Sequence, residues 1–363
     1  MRALEVWLPV KTWLGLATGL LLACSPAAPG AAERAVPPAS GASERAPAVA
    51  PEARPTAAPP PLIRTRSAYS TLAVNSSPSW LALEGGYFRE QGLEVELQRI
   101  SSGAPVLAAM SNGEVEVTQA GGATLVLGYL QSLNTKIIGS TSNVMDSVVF
   151  ARPEIQSVEG LRGKVIAVSR LKSLSDVAGR MALQRLGLQP DVDVFFRGVG
   201  GQPEMLAAME TGAADGAVLG MPLIHEARQR GFYELLDITA LRIPFAQGAI
   251  GATQRVLDER PELADRYLRA VAQALHRLQT DREFAIEVVG KYSQVDDREL
   301  LGATVDYFRP IVQLDLYPER AAVQTVIDLE EHPGARTLRP EDVTDYRFAD
   351  QLQRSGFLET LRR

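Results

Sequence analysis

The sequence predicts an α/β chain of two similar lobes. Two internal repeats and a helical C-terminal segment carry that prediction. The first repeat is a strand, helix, strand unit that recurs about 95 residues downstream. The second is a pair of matching helix-to-strand segments, one after each unit at nearly the same offset.

In the first unit Tyr69-Ser-Thr-Leu-Ala-Val74 reads as a strand, Asn75-Ser76-Ser77-Pro78 as a loop and Ser79 to Phe88 as a helix. Gly92 stops the helix, and Leu93-Glu-Val-Glu-Leu97 alternates as a second strand. Serine followed by proline suits a first helical turn, because the ring fixes φ and the missing N–H has no helical partner there anyway. In the second unit Lys164-Val-Ile-Ala-Val168 is a strand and Ser169 to Ser175 a polar loop. Asp176 to Leu186 then carries Val177, Ala178, Met181 and Leu186 at helical spacing, before Gly187 and the strand Val192 to Phe196. Right-handed crossovers would make each unit part of a parallel sheet.

The second repeat lays Leu107-Ala-Ala-Met110-Ser-Asn-Gly113 on Leu206-Ala-Ala-Met209-Glu-Thr-Gly212. Each copy is opened by Gly and Pro, at Ser102-Gly103-Ala-Pro105 and at Gly200-Gly201-Gln202-Pro203, and each leads through glycine into a short strand. A single Leu-Ala-Ala-Met match is cheap in an alanine-rich chain; its position after a repeated unit gives it weight. One strand-like piece, Gln247 to Thr253, precedes helices expected over 261–278, 281–291, 296–308, 318–330 and 341–353. With so little strand, this segment is expected to pack back on the first lobe. The lobes are therefore placed at 69–150 plus 245–363, and at 151–244.

Before residue 69 the chain reads differently. A short apolar run from Trp13 to Ala23 is too short to span a bilayer and has the form of a signal peptide over 1–23. Leu21-Leu22-Ala23-Cys24 looks like the cleavage and lipidation box of bacterial lipoproteins, which would make Cys24 the acylated first residue. Residues 24–65, rich in Ala and Pro, read as a disordered tether between lipid and domain. Cys24 is the one cysteine, so neither a disulfide nor a thiolate metal site is expected in the folded part. A net charge of −6 with no basic block argues against a nucleic-acid partner.

In doubly wound sheets ligands bind beyond the carboxyl ends of the strands, where helix N-termini present free N–H groups. Here those positions are rich in small polar residues: Asn75, Ser76 and Ser77; Ser101 and Ser102; Ser140 to Asn143; Ser169, Ser173 and Ser175. Each serine alone is more often a plain helix cap. Gln119, Gly121 and Met221 end the two matched strands, and Gln202 opens a helix. Asp146 and Asp176 are acidic groups able to contact an amine or guanidine, with a helix-end carboxylate as the alternative for Asp176. Arg170 and Lys172 are the basic side chains of these loops. Catalytic motifs are missing: His225, His276 and His332 lack metal-ligand spacing, there is no G-x-S-x-G elbow, and Gly198-Val-Gly-Gly201 falls short of a dinucleotide fingerprint.

Several stretches resemble one known family. They are Pro78-Ser-Trp80-Leu-Ala-Leu-Glu-Gly-Gly-Tyr87-Phe88-Arg-Glu-Gln-Gly92-Leu-Glu-Val-Glu-Leu97, Gly113-Glu-Val-Glu-Val117, Leu161-Arg-Gly-Lys-Val-Ile-Ala-Val168, Leu186-Gly-Leu-Gln-Pro190 and Gly212-Ala-Ala-Asp215-Gly-Ala-Val218. The chain resembles the periplasmic solute-binding proteins of the nitrate, sulfonate and taurine import class, which includes relatives of thiamine-pyrimidine synthesis proteins. The resemblance implies a type II periplasmic binding protein fold: two α/β lobes joined by crossing strands, with a solute clamped in the cleft. It implies solute contacts at Ser76, Ser77, Ser102, Gln119 to Gly122 and Ser173 to Asp176; Asn143, Gln202 and Met221 complete the expected set. Trp80 either stacks on a ring-bearing solute or packs in the core.

The function so implied is that of the extracytoplasmic solute-binding component of an ABC importer, with no enzymatic step, cofactor or metal. The expected solute is a small organic anion such as a sulfonate or carboxylate, or a pyrimidine-like molecule, and the expected partner is a membrane permease. The protein would act as a monomer on the periplasmic or cell-surface face, held through Cys24. A pyrimidine-synthesis-type enzyme and a ligand sensor feeding a receptor are the competing readings. Ser77 and Ser175 are expected to bind solute without supporting the fold.

Overall fold

The computed structural model describes residues 62–362. The expected signal peptide, Cys24 and almost all of the expected tether lie outside the described residues. Two five-stranded mixed sheets form the frame. The first has the order β2-β1-β3-β10-β4, from Ile63–Tyr69 (β1), Leu93–Arg99 (β2), Val117–Ala120 (β3), Thr135–Ser140 (β4) and Ala249–Thr253 (β10). The second has the order β7-β6-β8-β5-β9, from Val148–Ala151 (β5), Val165–Val168 (β6), Phe195–Gly198 (β7), Gly216–Leu219 (β8) and Tyr233–Asp237 (β9).

The repeats seen in the sequence are repeats of topology. β1 pairs in parallel with β2 and β3, and β6 pairs in parallel with β7 and β8. Each sheet is then extended by an antiparallel strand, β10 beside β3 and β5 beside β8. The Leu-Ala-Ala-Met segments lie in the helices Gly103–Ser111 and Gln202–Glu210, and both bury their Leu, second Ala and Met. Gly113 and Gly212 end them at φ of 76° and 73°, a left-handed turn that a side chain would strain.

Several boundaries differ from expectation, among them the strand expected at Val192 to Phe196, which is Phe195–Gly198, and the helix expected over 341–353, which is split into Pro340–Val343 and Arg347–Arg354. β1 starts at Ile63, inside the stretch read as tether, and the segment 70–76 is loop and 3-10 turn instead of strand. The inward residues of β1 include Thr65 and Ser67, so an interior strand shows no apolar alternation. The first helix is Ser77–Glu84, broken by Gly85-Gly86 before the short helix Tyr87–Glu90. β5 belongs to the second sheet, so the change of lobe falls before Val148 and not at residue 150.

The chain crosses between lobes twice, through 141–147 and 238–248. The two segments bond to each other: Phe245 N–H donates to the Asn143 carbonyl at 2.9 Å and Met145 N–H to that of Ile243 at 3.2 Å. After β10 the helices return to the first lobe, where Pro261–Thr280 lays Tyr267, Leu268, Val271 and Leu275 against Trp80, Leu81 and Phe88. Burial of so many large apolar side chains supplies the main stabilisation of this lobe. Within it the Tyr267 hydroxyl bonds Ser67 at 2.8 Å and Ser79 at 3.1 Å, so these three buried hydroxyls are paired.

Candidate functional site

The ends of β1, β6 and β8, both crossing segments and one C-terminal helix converge on a cavity of about 230 Å³ between the sheets. The first lobe gives it Val74 and Asn75, and the crossing segments give Asp146, Ser147 and Gln247. The second lobe gives Ser169, Leu174, Ser175, Gln202 and Met221, and the helix Arg298–Phe308 gives Tyr307. A second cavity of about 230 Å³ lies beside Ser76, Gln119, Gly121 and Phe245. A wider one of about 620 Å³ is lined by Leu171, Lys172, Asp176, Phe245 and Leu329. Leu174 walls all three.

Local hydrogen bonds fix these walls. Gln119 Oε1 accepts from Ser79 N–H at 3.0 Å and its amide donates to the Asn75 carbonyl at 2.8 Å, which pins the 70–76 loop to the end of β3. In the second lobe Ser175 Oγ accepts from Ser169 N–H at 3.0 Å, and the hydroxyls of Ser169, Ser173 and Ser175 bond one another. Gln202 Oε1 accepts from Gly220 N–H at 2.9 Å, which sets the amide at the cavity wall beside Met221.

The expected site residues divide accordingly. Ser175, Gln202 and Met221 line the inner cavity; Ser76, Gln119 and Gly121 line the second; Asp176 lines the outer one. Ser77, Trp80, Ser102, Asn143 and Ser173 line none of them. Trp80 is fully buried, with its ring stacked 5.1 Å from Tyr292 and edge-on to Tyr69, so of its two readings the core holds. Ser77 is buried with its Oγ unpaired, and Ser102 is exposed at a φ of 73°. Asn143 is a strut: its amide donates to the Tyr317 carbonyl at 2.7 Å and to Gln313, joining a crossing segment to the C-terminal part. Asp176 accepts from Lys172 N–H at 2.7 Å and from Arg180 at 2.7 Å, so its charge is spent within its own helix and loop.

Asp146 is different. Burial pushes its carboxyl up to about 7, although it opens on the cavity. Burial also raises the Tyr307 phenol, a bond to Thr239 lowers it and the nearby Asp146 charge raises it further. Among the described residues no Lys, Arg or His lines the inner cavity. Arg170 is exposed, and Lys172 sits at the outer mouth in an ion pair of 2.6 Å with Glu331 of the first lobe. Tyr307, Gln247 and Phe245 escaped the sequence reading. Gln247 and Phe245 carry no periodic signal, and Tyr307 belongs to a helix whose apolar face explains it equally well.

The sequence profile of the NMT1-like family matches residues 72–291, more than half of the chain. The chain belongs to the NMT1-like family. This NMT1-like protein is 27% identical to the taurine-binding periplasmic protein of Escherichia coli K12 over 167 residues, which cover 45% of the chain. The match spans about half the length of that relative. Its fold matches a putative periplasmic sulfonate-binding protein of Methylobacillus flagellatus, at a TM-score of 0.66 and 17% identity over 82% of this chain and 96% of that one. The periplasmic nitrate-binding protein of Synechocystis matches at a TM-score of 0.62 and 13% identity, over 81% and 89%. At such identities the likeness is one of fold: two α/β lobes of the periplasmic binding protein kind.

Proposed function

We propose that this NMT1-like protein is the extracytoplasmic binding component of an ABC importer, which captures a small solute between its lobes and passes it to a membrane permease. The observation that carries this reading is the inner cavity, walled by both lobes and by the two crossing segments about which the lobes can turn. Its polar groups come from opposite sides, so only a solute that satisfies both is held, because a wrong one leaves buried groups unpaired. The names of the relatives support a sulfonate, nitrate or similar small solute, with a carboxylate or pyrimidine-like molecule as the other candidates.

No chemical step is assigned. His225, His276 and His332 line neither the inner nor the second cavity, and the inner cavity has no cysteine among its lining residues. Acylation at Cys24 would hold the protein at the outer face of a membrane, and no helix among the described residues is long and apolar enough to cross one. The monomer suffices for the cavity, since one chain supplies every wall.

A thermal-shift screen of the purified protein against sulfonates, nitrate, carboxylates, pyrimidines and amines tests the proposal. A solute that binds the native state raises the melting temperature by mass action. A saturable rise with one class, lost in Gln202→Ala, supports capture. Turnover of the bound compound, followed by mass spectrometry, would replace capture with catalysis.

A further inference from the structure

The inner cavity has a polarity that its residue types alone do not reveal. Three hydrogen-bond acceptors in its wall accept from no other described residue, the Asp146 carboxyl bonding only the N–H of its own backbone. Asp146 makes no side-chain hydrogen bond or ion pair with any other residue, and Asn75 Oδ1 and Gln247 Oε1 are buried without a partner. Of the remaining polar groups, Ser175 bonds Ser169, Gln202 Oε1 bonds Gly220 and the Tyr307 hydroxyl bonds Thr239 at 2.7 Å, while the Ser147 hydroxyl and the Gln202 NH₂ can turn to suit a solute. The acidic set around Tyr307 continues through Asp237 and Glu234, of which Glu234 is paired with Arg228 at 2.7 Å.

We infer that the solute presents a nitrogen-bound hydrogen-bond donor, an amine or amidine group, to Asp146 at the hinge side of the cavity. A buried acceptor without a donor costs about 1–3 kcal/mol and a buried charge more, so a solute that supplies donors recovers what the closed cleft otherwise forfeits. Rotation of either amide can exchange its oxygen for NH₂. Above about 7 the Asp146 carboxyl is ionised and only accepts, and there it fixes the polarity of this end. Any anionic group of the same solute lies away from Asp146, because two like charges in contact within a poorly solvated cavity repel strongly. The inference rests on the capture reading above and adds which end of the solute faces the hinge.

Calorimetry with matched probes tests it on the purified protein. The pairs are 2-aminoethanesulfonate against ethanesulfonate, 4-aminopyrimidine against pyrimidine, and benzylamine against benzyl alcohol. In at least one pair the nitrogen-bearing member is expected to bind tenfold or more tightly than its mate. Asp146→Asn and Asp146→Ser are expected to erase that preference while melting cooperatively. Equal or tighter binding of the amine-free members overturns the inference and leaves solute capture standing, as does a preference that survives both substitutions. Silence from every probe, on protein freed of co-purified solute by unfolding and refolding, counts against both readings.

Discussion

Tyr307 and Thr239 share a hydrogen bond of 2.7 Å between their hydroxyls, which joins the C-terminal helix Arg298–Phe308 to the turn where the chain starts back from the second lobe. Tyr307 also walls the inner cavity beside Asp146, so one side chain both shapes the site and braces the crossing. Tyr307→Phe keeps the ring and removes the brace. The expected result is a loss of about 1 kcal/mol in urea unfolding and a several-fold weaker solute affinity. Unchanged values for both would mean that the bond is incidental.

The carboxyl of Asp146 gives a pH signature. Its ordinary value is 3.8 and burial raises it to about 7, so the native state holds a proton that the unfolded chain has released. The contribution of this group to stability is therefore greatest below the unfolded value, falls as pH rises between those two values, and is constant above them. By linkage the loss reaches about 4 kcal/mol at most. Asp146→Asn lacks this titration, and its melting temperature at pH 8 is expected to exceed that of the unsubstituted protein. Parallel curves from pH 4 to 8 would show that Asp146 is not held protonated. Tyr307, the other titratable wall of the cavity, remains protonated throughout this range because burial raises it further.

Gln119 holds the first loop by its two amide bonds to Ser79 and Asn75. Gln119→Ala leaves both backbone groups without that partner, at a cost of roughly 2–4 kcal/mol. Solute affinity is expected to fall with it, because Asn75 and Ser76 lose their anchor. Chemical denaturation and calorimetry read the two effects separately.

Ser77→Ala is expected to do the reverse of what a binding residue would. The Ser77 hydroxyl is buried, unpaired and outside the cavities, so its removal should leave affinity unchanged and stability equal or up to about 1 kcal/mol higher. Ser175→Ala, which removes an acceptor for Ser169 N–H at the cavity wall, should weaken binding. Equal behaviour of the two variants would contradict this separation.

Periodicity made the duplicated lobes legible, because each Leu-Ala-Ala-Met helix buries one face and leaves the other to water. Where that contrast vanishes, the sequence is silent. Ser77 to Ala82 are all buried, so nothing in the pattern separates the cleft side of this helix from the core side that holds Trp80. Thr65 and Ser67 hid an interior strand by being small and polar. Strand ends located Ser175, Gln202 and Met221 because topology fixes where strands end. Tyr307 and Gln247 reach the cavity from sequence-distant elements, and only the packing of those elements brings them there.

The two crossings also set an order of assembly. All five strands of the second sheet lie between Val148 and Asp237, whereas the first sheet lacks its fourth-ranked strand until β10 has been made at Ala249–Thr253, and its main packing partner until Thr280. On the ribosome the enclosed lobe is thus complete while the lobe that was begun first still waits for its closing strand. Exposed sheet in that interval invites aggregation. If the chain is exported as proposed, translocation or a chaperone that keeps residues 63–140 unfolded until the rest arrives removes that hazard.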